Sequence, residues 1–179
     1  FEKNLEDNKL GHNIGLCLEK KQSLRYGENP HQAAGFYTSA GFESGFQDAK
    51  VLQGKELSYN NLIDVDAAAA IVADFPEKTA VAVIKHTNPC GAAVSSTDSL
   101  ATVFKTALSG DPKSAFGGIV ALNKEVDTET AEEMSKIFLE CIVAPKFSEE
   151  AKTLFAKKKN LRLLEVPFLS DLNKKQDML

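Results

Sequence analysis

Cysteine, methionine and tryptophan are scarce in this sequence, which has three cysteines, two methionines and no tryptophan among 179 residues. An odd number of widely spaced cysteines does not make a disulfide framework and is typical of a reducing compartment. No apolar run approaches the about 20 residues of a membrane span, and residues 1–4 lack the pattern of a signal peptide. The sequence therefore predicts a cytoplasmic protein with no membrane partner.

An excess of positive charge is also lacking. Lysine and arginine number 21 against 25 acidic residues, which gives a formal net charge of -4. A general electrostatic attraction to nucleic acid is therefore not expected. A local site for a small anion is compatible with this balance.

The most apolar stretch of the chain is followed at once by reactive side chains. Residues 79–84 are almost all aliphatic, which is typical of a strand buried on both faces. The heptad K-H-T-N-P-C-G then occupies residues 85–91, where Pro89 cannot continue a central strand and the final glycine tolerates a turn. We expect Lys85 and His86 at the carboxyl end of a core strand, where open α/β sheets bind ligands.

The remaining periodicity alternates short strands with helices. Strands are predicted at 34–37, 50–53, 119–122, 141–144 and 161–166, and helices at 58–75, 100–108, 127–138 and 148–159. Asn60 or Asn61 is expected to cap the first helix, and Phe138 to lie on the buried face of the third. This alternation predicts right-handed βαβ units in an α/β fold, layered α/β/α around a mostly parallel or mixed sheet.

Three motifs have possible chemical roles, each with a plainer alternative. Lys85 beside His86 disfavours a charged imidazole and suits a base near neutral pH, but the pair could equally be a solvent-facing strand end. Arg25 and Tyr26, in a loop at 24–32, offer an anion donor beside an aromatic ring, which suits a phosphate and a planar base. The glycine turn at 114–118 could present backbone N–H groups to a ligand, or could simply turn the chain.

The heptad also invites comparison with zinc deaminases, whose signature is H-x-E followed by P-C-x-x-C. Here Asn88 stands in the glutamate position and Ala93 in the second cysteine position. A zinc ligand and the acid/base group are lost together, so the sequence predicts no zinc site.

Three stretches together resemble the AICAR transformylase/IMP cyclohydrolase family, in its transformylase part. They are L-R-Y-G-E-N-P-H-Q at 24–32, K-H-T-N-P-C-G at 85–91 and S-A-F-G-G-I-V-A-L at 114–122. G-K-E-L-S-Y-N-N-L at 54–62 and I-V-A-P at 142–145 also fit, so the resemblance runs from residue 24 to about 166. It implies a cytidine-deaminase-like α/β/α repeat without zinc.

The resemblance also implies roles for individual residues. His86 would take a proton from the amine of AICAR as it attacks the formyl group of 10-formyltetrahydrofolate, and Lys85 would stabilise the developing charge. The residues expected to bind the substrate are Arg25, Tyr26, Asn61, Gly117 and Glu140. A homodimer is implied for the full-length protein.

Domain boundaries follow from the same resemblance. Residues 1–23 are expected to be a linker or tail from an N-terminal cyclohydrolase domain, 24–166 the first transformylase repeat, and 167–179 a connection to a second repeat. On this interpretation the chain is part of an enzyme and inactive alone. The alternative is a stand-alone purine-nucleotide-binding module of the same fold without catalysis.

Overall fold

The computed structural model describes residues 15, 17–39, 46, 49–167 and 169. Within them the strands are β1 (Leu18–Leu24), β2 (Ala34–Ser39), β3 (Lys50–Gln53), β4 (Thr79–Lys85), β5 (Asn88–Ser95), β6 (Gly118–Leu122), β7 (Leu139–Ala144) and β8 (Arg162–Glu165). The helices are α1 (Tyr59–Ala73), α2 (Leu100–Leu108), α3 (Thr128–Ser135) and α4 (Glu149–Phe155). In this described part, no helix is long and apolar enough to cross a membrane.

A mixed sheet of six strands, in the order β3-β8-β7-β6-β4-β5, forms the centre of the fold. β6, β7 and β8 are parallel neighbours joined by α3 and α4, as the predicted βαβ units require. β4 departs from that prediction, because both of its neighbours, β5 and β6, run antiparallel to it. β1 and β2 form a separate antiparallel ribbon. The prediction of an α/β fold with a mixed sheet is confirmed.

Helices cover both faces of this sheet, and β4 contributes to the two cores in turn. Val81 and Val83 belong to the core that contains the buried faces of α2, α3 and α4. Ala80, Ala82 and Ile84 belong to the core that contains the buried face of α1. A strand buried on both faces must be apolar at every position, which is why this stretch lacks the usual alternation. The three-layer prediction is confirmed.

The heptad after β4 forms a tight hairpin. β4 ends at Lys85 and β5 begins at Asn88, so that His86 and Thr87 alone make the turn. Pro89 lies within β5, next to a shift in register. β5 is the edge strand of the sheet, where a residue without an N–H group is tolerated. Pro89 therefore does not continue the central strand β4, but it does pair within the edge strand β5.

The N-cap of helix α1 lies two or three residues before the predicted cap. Its N-cap is Ser58, whose hydroxyl accepts a hydrogen bond from the Asn61 N–H at 3.3 Å. In return the Asn61 Oδ1 atom accepts from the Ser58 N–H at 3.1 Å. This reciprocal capping box satisfies two backbone donors and fixes the Asn61 side chain at the start of the helix. The prediction of Asn60 or Asn61 as the cap is wrong.

The predicted terminal segments lie largely outside the described residues. Within the range 1–23, Leu18 and the residues after it form β1, which pairs with β2. The pairing of Leu24 with Ala34 closes the loop that contains Arg25 and Tyr26. The ribbon therefore holds both ends of a loop that carries two predicted site residues.

Candidate active site

Lys85 and His86 lie at one end of the sheet. Because β4 is antiparallel to β6, its carboxyl end lies beside the amino ends of β6 and β7. The rule that places ligands at the carboxyl ends of parallel strands therefore does not describe this site. Lys85 is half-buried, and its Nζ donates a hydrogen bond to the Phe116 carbonyl oxygen at 2.7 Å. The ammonium group is thereby anchored to the turn that precedes β6.

The turn after Lys85 is held by a carboxylate from α1. The Asp64 Oδ2 atom accepts from the His86 N–H at 3.2 Å, and Oδ1 accepts from the Thr87 N–H at 2.6 Å. We call Lys85, His86 and Thr87 the Lys–His turn. Asp64 was missed in the sequence, where its signal was its position three residues after Asn61 and so on the same side of the helix. The His86 side chain is exposed.

Arg25 and Tyr26 form a compact pair at the start of α1. The Arg25 Nη2 atom donates to the Tyr26 hydroxyl at 2.8 Å, and the guanidinium carbon lies 4.6 Å from the centre of the ring. The backbone of the pair is tied to the helix start, since the Tyr59 N–H donates to the Tyr26 carbonyl at 3.1 Å. The hydrogen bond from Arg25 is the main cause that lowers the pKa of the Tyr26 phenol.

Asn61 and Glu140 are in direct contact. The Asn61 Nδ2 atom donates to Glu140 Oε2 at 3.2 Å. Arg162 supports the same oxygen, with Nη1 at 3.8 Å, while its other nitrogens donate to the carbonyls of Lys55 and Glu56. The Arg162 side chain is 6% exposed, whereas that of Glu140 is 45% exposed. Glu140 is thus held from the protein side and open to solvent on the other.

Both pairs are attached to the start of α1, Tyr26 through the Tyr59 N–H and Asn61 through its place in the first turn. We call these four residues, Arg25, Tyr26, Asn61 and Glu140, the Arg–Glu cluster. The negative charge of Glu140 acts against the lowering of the pKa of the Tyr26 phenol, which the hydrogen bond from Arg25 dominates. The cluster therefore combines a cation, an aromatic ring, an amide and a half-exposed carboxylate. Such a set suits a ligand that carries both an anionic group and hydrogen-bond donors.

Gly117 lies beside the Lys–His turn. Its φ of 74° favours glycine, and its N–H donates to the Phe138 carbonyl at 2.8 Å. A Cβ atom at this position would lie 3.5 Å from the Phe138 ring and 4.0 Å from the Lys85 Nζ atom. The absent side chain therefore leaves space next to the ammonium group.

Phe138 was expected to face the core, and this prediction is wrong. Helix α3 ends at Ser135, and the residues from Leu139 onward join β7. Phe138 is consequently 48% exposed, and its ring packs against the exposed ring of Phe116, with centres 5.2 Å apart and planes tilted by 44°. The pair forms an aromatic rim beside Gly117.

The structure thus places the predicted site residues in two groups, and α1 links them. Asn61 contacts Glu140 of the Arg–Glu cluster, and Asp64, one helical turn further on, holds the Lys–His turn. Gly117 joins the same region through its hydrogen bond to Phe138, two residues before Glu140. In the described residues, no group of three or more histidine, cysteine or acidic side chains is arranged to hold a metal ion.

This chain is similar to known proteins in sequence and in structure. The Bifunctional purine biosynthesis protein PurH of Listeria monocytogenes serotype 4b (strain CLIP80459) is 58% identical over 156 residues, which cover 87% of this chain and 30% of that protein. PurH of Cyanothece sp. (strain PCC 7425 / ATCC 29141) is 56% identical over 157 residues, or 88% and 30%. A structure of Acinetobacter baumannii RibD matches with a TM-score of 0.48 at 12% identity, covering 62% of this chain and 37% of RibD.

The chain therefore spans about 30% of the length of the curated relatives that it matches. The sequence profile of the family described as AICARFT/IMPCHase bienzyme matches residues 1–179. This match covers more of the chain than residues 24–166, over which the resemblance was found, and it confirms the resemblance. The chain belongs to the AICARFT/IMPCHase bienzyme family.

Proposed function

We propose that this chain forms the nucleotide-binding and proton-transfer part of an enzyme of purine biosynthesis. The reaction is formyl transfer from 10-formyltetrahydrofolate to the 5-amino group of AICAR, an aminoimidazole carboxamide ribonucleotide. Membership of the family supports the proposal, and so does the similarity to PurH, which is a purine biosynthesis protein. The observation that carries it is the link through α1, where Asn61 and Asp64 join the Arg–Glu cluster to the Lys–His turn.

The Arg–Glu cluster would bind the nucleotide. The exposed Arg25 guanidinium offers a fork of donors that matches a phosphate group. The adjacent Tyr26 ring offers a flat apolar face for a planar base. The half-exposed Glu140 carboxylate can accept hydrogen bonds from hydroxyl or amide groups of the ligand, and Asn61 keeps it in place.

The Lys–His turn would carry out the proton transfer. The amine of AICAR is conjugated through the imidazole ring to the carboxamide and is a weak nucleophile. As its nitrogen forms a bond to the formyl carbon, the exposed His86 imidazole takes the amine proton. The formyl oxygen becomes negatively charged, and Lys85, which has N–H donors beyond the one bonded to Phe116, stabilises it. The bond to the folate nitrogen then breaks, and that nitrogen leaves with the proton that His86 took from the amine.

Assembly and domain arrangement belong to the same proposal. Residues 24–166 would be the first of two transformylase repeats, in a protein that works as a homodimer in the cytoplasm. The resemblance supports the dimer and the second repeat. The cysteines are free thiols in the structure, with Cys17 exposed and Cys141 buried, which fits a reducing compartment.

The experiment that tests the proposal removes the base. His86→Ala should lower the kcat of AICAR formylation by about 10²-fold or more, within the usual range for a general base, and change KM little. Because the chain spans about 30% of its relatives, turnover is measured in a protein of full family length that contains this sequence.

The control is the thermal unfolding temperature of the same variant. His86 is exposed and contributes no apolar side chain to either core, so the variant should unfold as the parent does. A near-native kcat would refute the proposal. AICAR binding by the full-length parent protein with no measurable formylation would instead favour the non-catalytic nucleotide-binding module.

A further inference from the structure

The Lys–His turn has a strained backbone. His86 and Thr87 have φ values of 54° and 59°, and they are the non-glycine residues with positive φ in the described part of the chain. Positive φ is a genuine outlier for a β-branched residue such as threonine. Such strain persists only where the surroundings enforce it, and it is concentrated at functional sites. Contacts with the rest of the protein must therefore hold this turn in its strained conformation.

The sequence does not use the residues that this hairpin prefers. A two-residue hairpin turn with positive φ at both positions is typically Asn-Gly or Asp-Gly. Here the positions hold His86 and Thr87, so the local sequence opposes the turn. The compensating contact is Asp64, whose two oxygens accept from both backbone N–H groups of the turn at 3.2 and 2.6 Å. A carboxylate can bind two such donors at once, since it is an acceptor only.

We propose that Asp64 is the positioning residue that fixes the base in this site. The inference rests on the proposed function, because it takes His86 as the base. With both turn amides bonded to Asp64, the Cα atom of His86 is fixed and the imidazole moves only about its own side-chain bonds. Asn61, one turn earlier on α1, contacts Glu140. The same helix therefore sets the distance between the nucleotide and the base.

Substitution of Asp64 tests this role in the full-length setting. Asp64→Ala removes both acceptors and should lower kcat by about 10²-fold, the effect of a displacement of about 1 Å in a catalytic group. KM for AICAR should change little, since Arg25 and Tyr26 are untouched. Asp64→Asn keeps one acceptor oxygen and should lose less. Glu129→Gln, at an exposed carboxylate on α3, is the control and should retain the parent kcat.

A second variant separates positioning from stability. Thr87→Gly removes the conformational penalty of the left-handed turn, because glycine adopts positive φ freely. Added to Asp64→Ala, it should restore part of the lost kcat. In this chain, amide hydrogen exchange should accelerate at His86 and Thr87 in Asp64→Ala and stay unchanged in Glu129→Gln. A role confined to overall stability would instead accelerate exchange throughout β4 and β6.

The outcomes distinguish this inference from the proposed function. If His86→Ala loses activity while Asp64→Ala keeps the parent kcat, the positioning role is overturned and the function stands. If neither variant loses activity, both are overturned. If Asp64→Ala loses activity only in proportion to the unfolded fraction, with no rescue by Thr87→Gly, Asp64 stabilises the hairpin and does not position the base.

Discussion

Removal of the Lys85 ammonium should cost far more activity than stability. Lys85 is half-buried and makes one hydrogen bond, at 2.7 Å, to the Phe116 carbonyl. Lys85→Met keeps the aliphatic stem and loses that bond, which is worth about 1 kcal/mol of unfolding free energy. Loss of a donor that stabilises an oxyanion costs about 10²–10³-fold in kcat, or about 2.7–4 kcal/mol. The two magnitudes are far enough apart to be measured separately.

The assay pairs steady-state formylation of AICAR in the full-length setting with thermal unfolding of each variant. Lys85→Arg keeps the charge but replaces a compact ammonium group with a planar guanidinium of different shape and reach. It should therefore recover little activity. Lys136→Ala removes an exposed ammonium group from the end of α3 and should leave kcat unchanged.

Two results would refute this reasoning. A kcat for Lys85→Met close to that of the parent would show that no charge develops beside the ammonium group. A fall in kcat that follows the unfolded fraction of each variant would show that the Lys85–Phe116 contact supports the fold. In the first case Lys85 is a strand-end side chain without a catalytic role, the plainer alternative in the sequence, and in the second it is a structural residue.

Further predictions concern the nucleotide and the glycine beside the ammonium group. Arg25→Ala should weaken AICAR binding by about 2–3 kcal/mol in calorimetry, and it should raise the pKa of the Tyr26 phenol towards its usual range in a spectrophotometric titration. Unchanged affinity would remove Arg25 from the site. Gly117→Ala should lower the unfolding free energy by about 1–2 kcal/mol, measured in urea, because φ is 74° although the added Cβ meets the Phe138 ring at an ordinary 3.5 Å. Gly91→Ala, whose Cβ would collide with the Ala107 carbonyl, should destabilise far more.

The layered fold was predictable because its signals are local. The apolar run that became β4 and the helical periodicities each reflect burial within one element, which a sequence shows directly. Strand direction does not follow from such signals. The antiparallel placement of β4 depends on a two-residue turn at His86 and Thr87, and neither residue is typical of that turn. The local sequence indicated a loop there, whereas hydrogen bonds from both backbone N–H groups to Asp64 hold a two-residue turn.

The sequence names candidate site residues where a motif contains them, but it does not show which residues from other elements support them. Arg162 lies 22 residues after Glu140 and supports it from a different strand, with a guanidinium bonded to backbone carbonyls. Nothing in the local sequence distinguishes Arg162 from a surface cation. Phe138 shows the converse case, since its helical spacing predicted burial but α3 ends before it.

The contacts that assemble the site explain why activity and stability should separate in it. Tyr26 is tied to α1 through its carbonyl oxygen, and Gly117 is tied to β7 through its N–H group. His86 and Thr87 are held through their N–H groups. These hydrogen bonds use backbone atoms, so replacing the side chains leaves the bonds in place. Asp64 is the opposite case, because its side chain makes the contact and its substitution must move the backbone of the turn.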